Sequence, residues 1–128
     1  MEQALTLTFM SGSRDGEVVQ LATSGSPQSV SIGRNVPCEL VITDDPDMSR
    51  RHARIFWGGS SWMLEDLNSS NGTFIGEFKT ARRLSESTAI NNGEIFRVGL
   101  TRLRFCGVKN EREISVGAVA AEKGKYLS

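Results

Sequence analysis

The chain is 128 residues long, room for one ordinary domain with its own core and too little for two. Hydrophobic residues make up 38% and charged residues 23%, which excludes a globally disordered chain. Fifteen Lys and Arg balance fifteen Asp and Glu, so no global positive field gathers nucleic acid, and no apolar run approaches the ~20 residues of a membrane-spanning helix.

In chain order, Leu5, Leu7 and Phe9 alternate with Ala4, Thr6 and Thr8, the period of two that predicts a half-buried strand. A turn follows at Ser11-Gly12-Ser13-Arg14-Asp15-Gly16. Strand-like runs then recur at 17–21, 29–32, 40–42 and 53–57, each bounded by Gly, Pro, Asp or Ser. Gly58-Gly59-Ser60-Ser61 predicts a hairpin connection with 62–66 as its return strand. Thr73-Phe74-Ile75 is a further short strand, Asn91-Asn92-Gly93-Glu94 a turn before 95–98, and 103–106 a closing strand. Thirteen glycines among short runs, with no helical apolar stripe, predict an antiparallel two-sheet β-sandwich over residues 1–108. From Lys109 the pattern fades, and 109–128 reads as a tail or linker with at most a short helix.

Cys38 and Cys106, two thiols far apart beside apolar residues, read as reduced and partly buried, in keeping with a cytoplasmic protein. The start Met1-Glu2-Gln3-Ala4 lacks the basic residues of a signal peptide. With His52 as the single histidine, a structural zinc site is one ligand short, so no metal or other cofactor is expected. Asp44-Asp45-Pro46-Asp47 lacks the spacing of a calcium loop.

Three turns carry the chemistry. Gly33-Arg34 leaves a predicted strand, where glycine permits a tight backbone and arginine offers a planar fork to phosphate or carboxylate. Taken alone, such an arginine is more often merely solvated. Ser49-Arg50-Arg51-His52 adds a hydroxyl and a second cation, and His52 reads as a hydrogen-bonder pinning the loop that bears Ser49. Asn68-Ser69-Ser70-Asn71-Gly72-Thr73 is turn chemistry, in which an Asn amide can clamp the main chain of an extended peptide. Donors gathered on loops of a rigid scaffold suit an anion with several acceptor oxygens, phosphate on a peptide first among them.

In order and spacing, Gly33-Arg34, Ser49-x-x-His52 and Asn71-Gly72 resemble the forkhead-associated (FHA) domain, a phosphothreonine-binding β-sandwich. The segment Asn92-Gly93-Glu94-x-Phe96-x-Val98-Gly99 is similar to a late part of that family, so the likeness covers nearly everything up to Val108. The resemblance implies about eleven strands with the ligand at one loop end. It implies phosphate contacts from Arg34, Ser49, Arg50 and Ser70, a hold on the peptide backbone from Asn71, and architectural roles for Gly33, His52 and Gly72. The loop before Ser49 would read a residue after the phosphothreonine. Its Asp44, Asp45 and Asp47 would favour a basic or hydrogen-bonding residue there, with Asp47 the specificity position. Gly76 stands where the family often has asparagine, which implies altered loop support. The implied partner is a phosphothreonine-containing protein or peptide, including a Ser/Thr kinase or its substrate.

Two rival classes fare worse. A hydrolase built from Ser49, His52 and Asp66 lacks a nucleophile elbow and a Gly-rich oxyanion loop. A nucleic-acid site built from Arg50, Arg51, Arg82, Arg83, Arg102 and Arg104 with Trp57 and Trp62 meets zero net charge and core-like tryptophans. A phosphate-independent interaction scaffold remains the alternative. Oligomeric state stays open.

Overall fold

In the computed structural model, which describes residues 4–108, the alternating runs become strands that share one core. The strands are β1 (Ala4–Phe9), β2 (Val18–Ala22), β3 (Ser29–Gly33), β4 (Leu40–Val41), β5 (Ala53–Trp57), β6 (Trp62–Asp66), β7 (Thr73–Ile75), β8 (Arg82–Arg83), β9 (Thr88–Ala89), β10 (Ile95–Val98) and β11 (Thr101–Val108). One sheet runs β2-β1-β11-β10-β7-β8 and the other β4-β3-β5-β6-β9. This is the all-β two-sheet sandwich that the sequence predicts, with eleven strands among the described residues.

The period of two sets the layers. Leu5, Leu7 and Phe9 of β1 and Leu103 and Phe105 of β11 turn inward from the six-stranded sheet. Val30 and Ile32 of β3, Ile55 of β5 and Leu64 of β6 meet them from the other. Each such side chain gains about 1.5–3 kcal/mol from leaving water. Trp62 is buried edge-on between Trp57 (5.3 Å between ring centroids) and Phe105 (6.1 Å), which removes it from any nucleic-acid surface.

Two features depart from the sequence reading. Strands β8 and β9 have two residues each, too short to show any alternation, and exist through pairing with β7 and β6. The pair β3–β4 is parallel, whereas the other ladders are antiparallel. A turn closed by the Cys38 amide on the Asn35 carbonyl (3.2 Å) separates the two strands. Cys38 is buried, while Cys106 is exposed rather than partly buried, because its place in β11 turns it to the outer face; both are unpaired. Among the described residues no helix is long and apolar enough to cross a membrane. The expected tail, 109–128, lies outside the described residues.

The sandwich leaves the connections 34–39, 42–52 and 67–72 at one end, beside the start of β7 and β11 and the end of β10. That end holds the three turns singled out in the sequence.

Candidate functional site

The first two turns are laced together by backbone. The Arg34 amide donates to the Ser49 carbonyl at 3.0 Å and the Asn35 amide to the Arg50 carbonyl at 3.4 Å. Gly33 makes this approach possible. A Cβ there would run into the Arg50 carbonyl oxygen and lie 2.9 Å from the Cys38 sulfur.

The third turn is tied on by His52, which is fully buried. Its Nδ1 accepts the Ser49 amide (3.1 Å), so Nε2 carries the proton and donates to the Gly72 carbonyl (2.8 Å). Both ring nitrogens are thereby committed to main chain, and neither is left to take a proton from the Ser49 hydroxyl. The catalytic reading of Ser49, His52 and Asp66 fails on that geometry.

Asp66, considered in the sequence only for catalysis, is the clasp of the 67–72 turn. Its carboxylate accepts the Ser69 amide (3.1 Å), the Ser69 hydroxyl and the Thr73 hydroxyl (2.7 Å). Burial pushes the Asp66 carboxyl up, but the bonds from Ser69 and Thr73 and the nearby His52 together outweigh it and hold the group below its ordinary range. The Ser69 Oγ in turn accepts the Gly72 amide at 2.9 Å. Gly72 sits at φ +85°, a backbone shape suited to glycine. The spacing Asp66-x-x-Ser69-x-x-x-Thr73 was the available signal, a carboxylate followed by hydroxyls at turn distance.

The turns then touch each other through the residues singled out for binding. The Ser70 amide donates to Ser49 Oγ (3.1 Å), which leaves the Ser49 hydroxyl proton free to be directed outward. Asn71 Nδ2 donates to the Asp47 carbonyl (3.1 Å) and keeps its side-chain oxygen free to accept a peptide N–H. The result is an open cleft of about 420 Å³ lined by Arg34, Asp47, Ser49, Arg50, Ser70 and Asn71, with Pro46, Met48 and Arg51 completing the wall. Arg34, Arg50 and Arg51 are exposed there, and among the described residues none has a carboxylate partner. Arg51, not among the residues that the resemblance implies as phosphate contacts, is a third cation at this cleft.

The acidic loop is reduced to one residue. Asp45 is buried and accepts the amides of Asp47 (2.9 Å) and Leu100 (2.8 Å) and the Thr101 hydroxyl (2.7 Å). Asp44 is turned away to the Ser13 hydroxyl. Of the three aspartates, Asp47 alone lines the cleft. Gly76 lies at φ +101°, where a Cβ would come within 2.9 Å of the Thr80 carbonyl, at the far end of β7 from the cleft.

A family model described as the FHA domain matches residues 30–99, which contain every residue that lines the cleft. The chain belongs to the FHA family. FHA domain-containing protein FhaB of Mycobacterium tuberculosis (strain ATCC 25618 / H37Rv) is 45% identical over 71 residues, 54% of this chain and 45% of that protein. The glycogen accumulation regulator GarA of Mycolicibacterium smegmatis is 32% identical over 77 residues, 60% of this chain and 45% of its own. The chain therefore spans about half the length of these relatives. A solution structure of an Arabidopsis thaliana FHA domain superposes with a TM-score of 0.68 at 27% identity, over 84% of this chain and 88% of that one. A structure from a study of phosphothreonine-dependent FHA domain interactions gives a TM-score of 0.62 at 29% identity, over 80% and 94%. The FHA domain is a binding module and not an enzyme, in agreement with the occupied nitrogens of His52.

Proposed function

We propose that this FHA domain binds phosphothreonine in a partner protein and serves signalling or assembly that depends on a Ser/Thr kinase. The observation that carries the reading is the convergence of Arg34, Ser49, Arg50, Ser70 and Asn71 on one cleft whose cations have no carboxylate partner among the described residues. A phosphothreonine presents three acceptor oxygens and nearly two negative charges at neutral pH. Arg34 and Arg50 supply charge-assisted donors to it, and the hydroxyls of Ser49 and Ser70 complete its shell. Asn71 holds the peptide main chain through its free oxygen. Gly33, His52 and Gly72 support the loops, and Asp47 favours a basic or hydrogen-bonding residue a few places after the phosphothreonine. Asp and Glu, with one charge and planar geometry, do not replace the phosphate.

Titration with a degenerate phosphothreonine peptide library and its unphosphorylated twin tests the reading. Charge-assisted hydrogen bonds contribute about 1.5–3 kcal/mol, so Arg34→Ala weakens phosphopeptide binding roughly tenfold to a hundredfold. Full affinity in that variant refutes the site. Equal binding of both libraries would favour the phosphate-independent scaffold instead.

A further inference from the structure

Four residues face one another across the outer surface of the six-stranded sheet, at the end that bears the cleft. The register sets Arg102 of β11 opposite Arg97 of β10, Arg97 opposite Phe74 of β7, and Phe74 opposite Arg83 of β8. Like charges directly opposite on neighbouring strands cost stability. The sheet nevertheless keeps this row, and the ion pairs among the described residues, Arg14–Glu17 and Arg54–Glu65, lie elsewhere. Two of the three arginines are held in place. Arg97 lies over the Phe74 ring at 4.2 Å and donates to the Gly99 carbonyl (2.7 Å), and Arg102 donates to the Met10 carbonyl (3.3 Å).

A second feature covers the same surface. Phe78 is 77% exposed, sits at φ +48°, and lies 5.1 Å beneath the Arg102 guanidinium. A bulky residue in left-handed backbone costs about 1–2 kcal/mol, spent here on keeping an aromatic ring in solvent. Arginine and aromatic side chains held in place, with no carboxylate partner among the described residues, have the composition of an interface.

The row also abuts the cleft. Arg83 packs so closely on Gly72 that a Cβ there would lie 2.9 Å from the guanidinium carbon, and Gly72 follows Asn71 in the chain. Three strand spacings, about 14 Å, separate Arg83 from Arg102, the reach of roughly four extended residues.

We infer that this face is a second contact surface, which takes a short acidic segment of the same partner whose phosphothreonine occupies the cleft. The inference rests on the phosphothreonine reading. One polypeptide spans both because they are contiguous, whereas the net charge of zero offers a nucleic acid no long-range attraction.

Six peptides decide it: phosphorylated and not, each with a neutral flank, with four acidic residues before the threonine, or with four acidic residues after it. The acidic flank strengthens binding roughly fivefold to twentyfold on one side, less at high salt. The double variant Arg97→Gln with Arg102→Gln loses this gain while binding the neutral phosphopeptide as the unaltered chain does, and Arg83→Gln alone reduces it. No gain from either flank, a gain unchanged in both variants, or tighter binding of a single-stranded oligonucleotide of equal charge would each overturn the proposal. The phosphate-dependent difference reads the cleft and the flank-dependent difference reads the face, so the two ideas fail separately.

Discussion

His52 shows how one side chain can set a binding site that it does not enter. Buried between two loops, it satisfies the Ser49 amide and the Gly72 carbonyl at once, so His52→Ala leaves two main-chain groups without partners and a cavity beneath them. The expected loss is about 2–4 kcal/mol in chemical denaturation, with phosphopeptide affinity falling although every residue proposed to face the phosphate is kept. Asp66 plays the matching part for the 67–72 turn. Because its carboxyl is held below the ordinary range in the folded protein, the stabilisation it gives is complete above about pH 4 and is lost as the pH falls through the folded value. Stability measured against pH therefore declines in acid more steeply for the unaltered chain than for Asp66→Asn, which is weaker near neutrality because its amide turns donors toward donors. An identical acid decline in the two proteins would remove Asp66 from this role.

At the scale of elements, what the sequence disclosed follows from where its signals are local. Strands with alternating inward residues, such as β1 and β5, and turns with Gly-Gly or Asn-Gly were legible because period and turn chemistry are written in neighbouring residues. Strands β8 and β9 were not, since two-residue strands are made by their partners. The same limit applies at the cleft. Arg34, Ser49, Arg50, Ser70 and Asn71 could be named from motif order, but the burial of Asp45 against Leu100 and Thr101 depends on contacts far along the chain. Gly33 marks where local and distant demands meet. Its missing side chain lets β3 lie against the Arg50 carbonyl, so Gly33→Ala must push the two loops apart. Overpacking of this kind costs about 1–3 kcal/mol. Urea titration is expected to show that loss together with weaker phosphopeptide binding, and a binding loss without any stability loss would point to direct contact instead.

On the scale of the whole molecule, the sandwich is closed by its ends rather than by its middle. Strand β1 pairs with β11 from Ala4 opposite Val108 to Phe9 opposite Leu103, so the first and last described residues lie side by side in the six-stranded sheet. The family model, residues 30–99, omits β1, β2 and all of β11, yet Leu5, Leu7, Phe9, Leu103 and Phe105 supply one wall of the core. A fragment trimmed to 30–99 would expose the opposing apolar faces of both sheets and is expected not to fold cooperatively. The core side chains described all lie between Leu5 and Phe105. A chain ending at Val108 is therefore expected to keep its thermal midpoint and its affinity for a phosphothreonine peptide. Melting and titration of the two lengths side by side check this, and a drop in the midpoint of several degrees on truncation would move the domain boundary beyond residue 108.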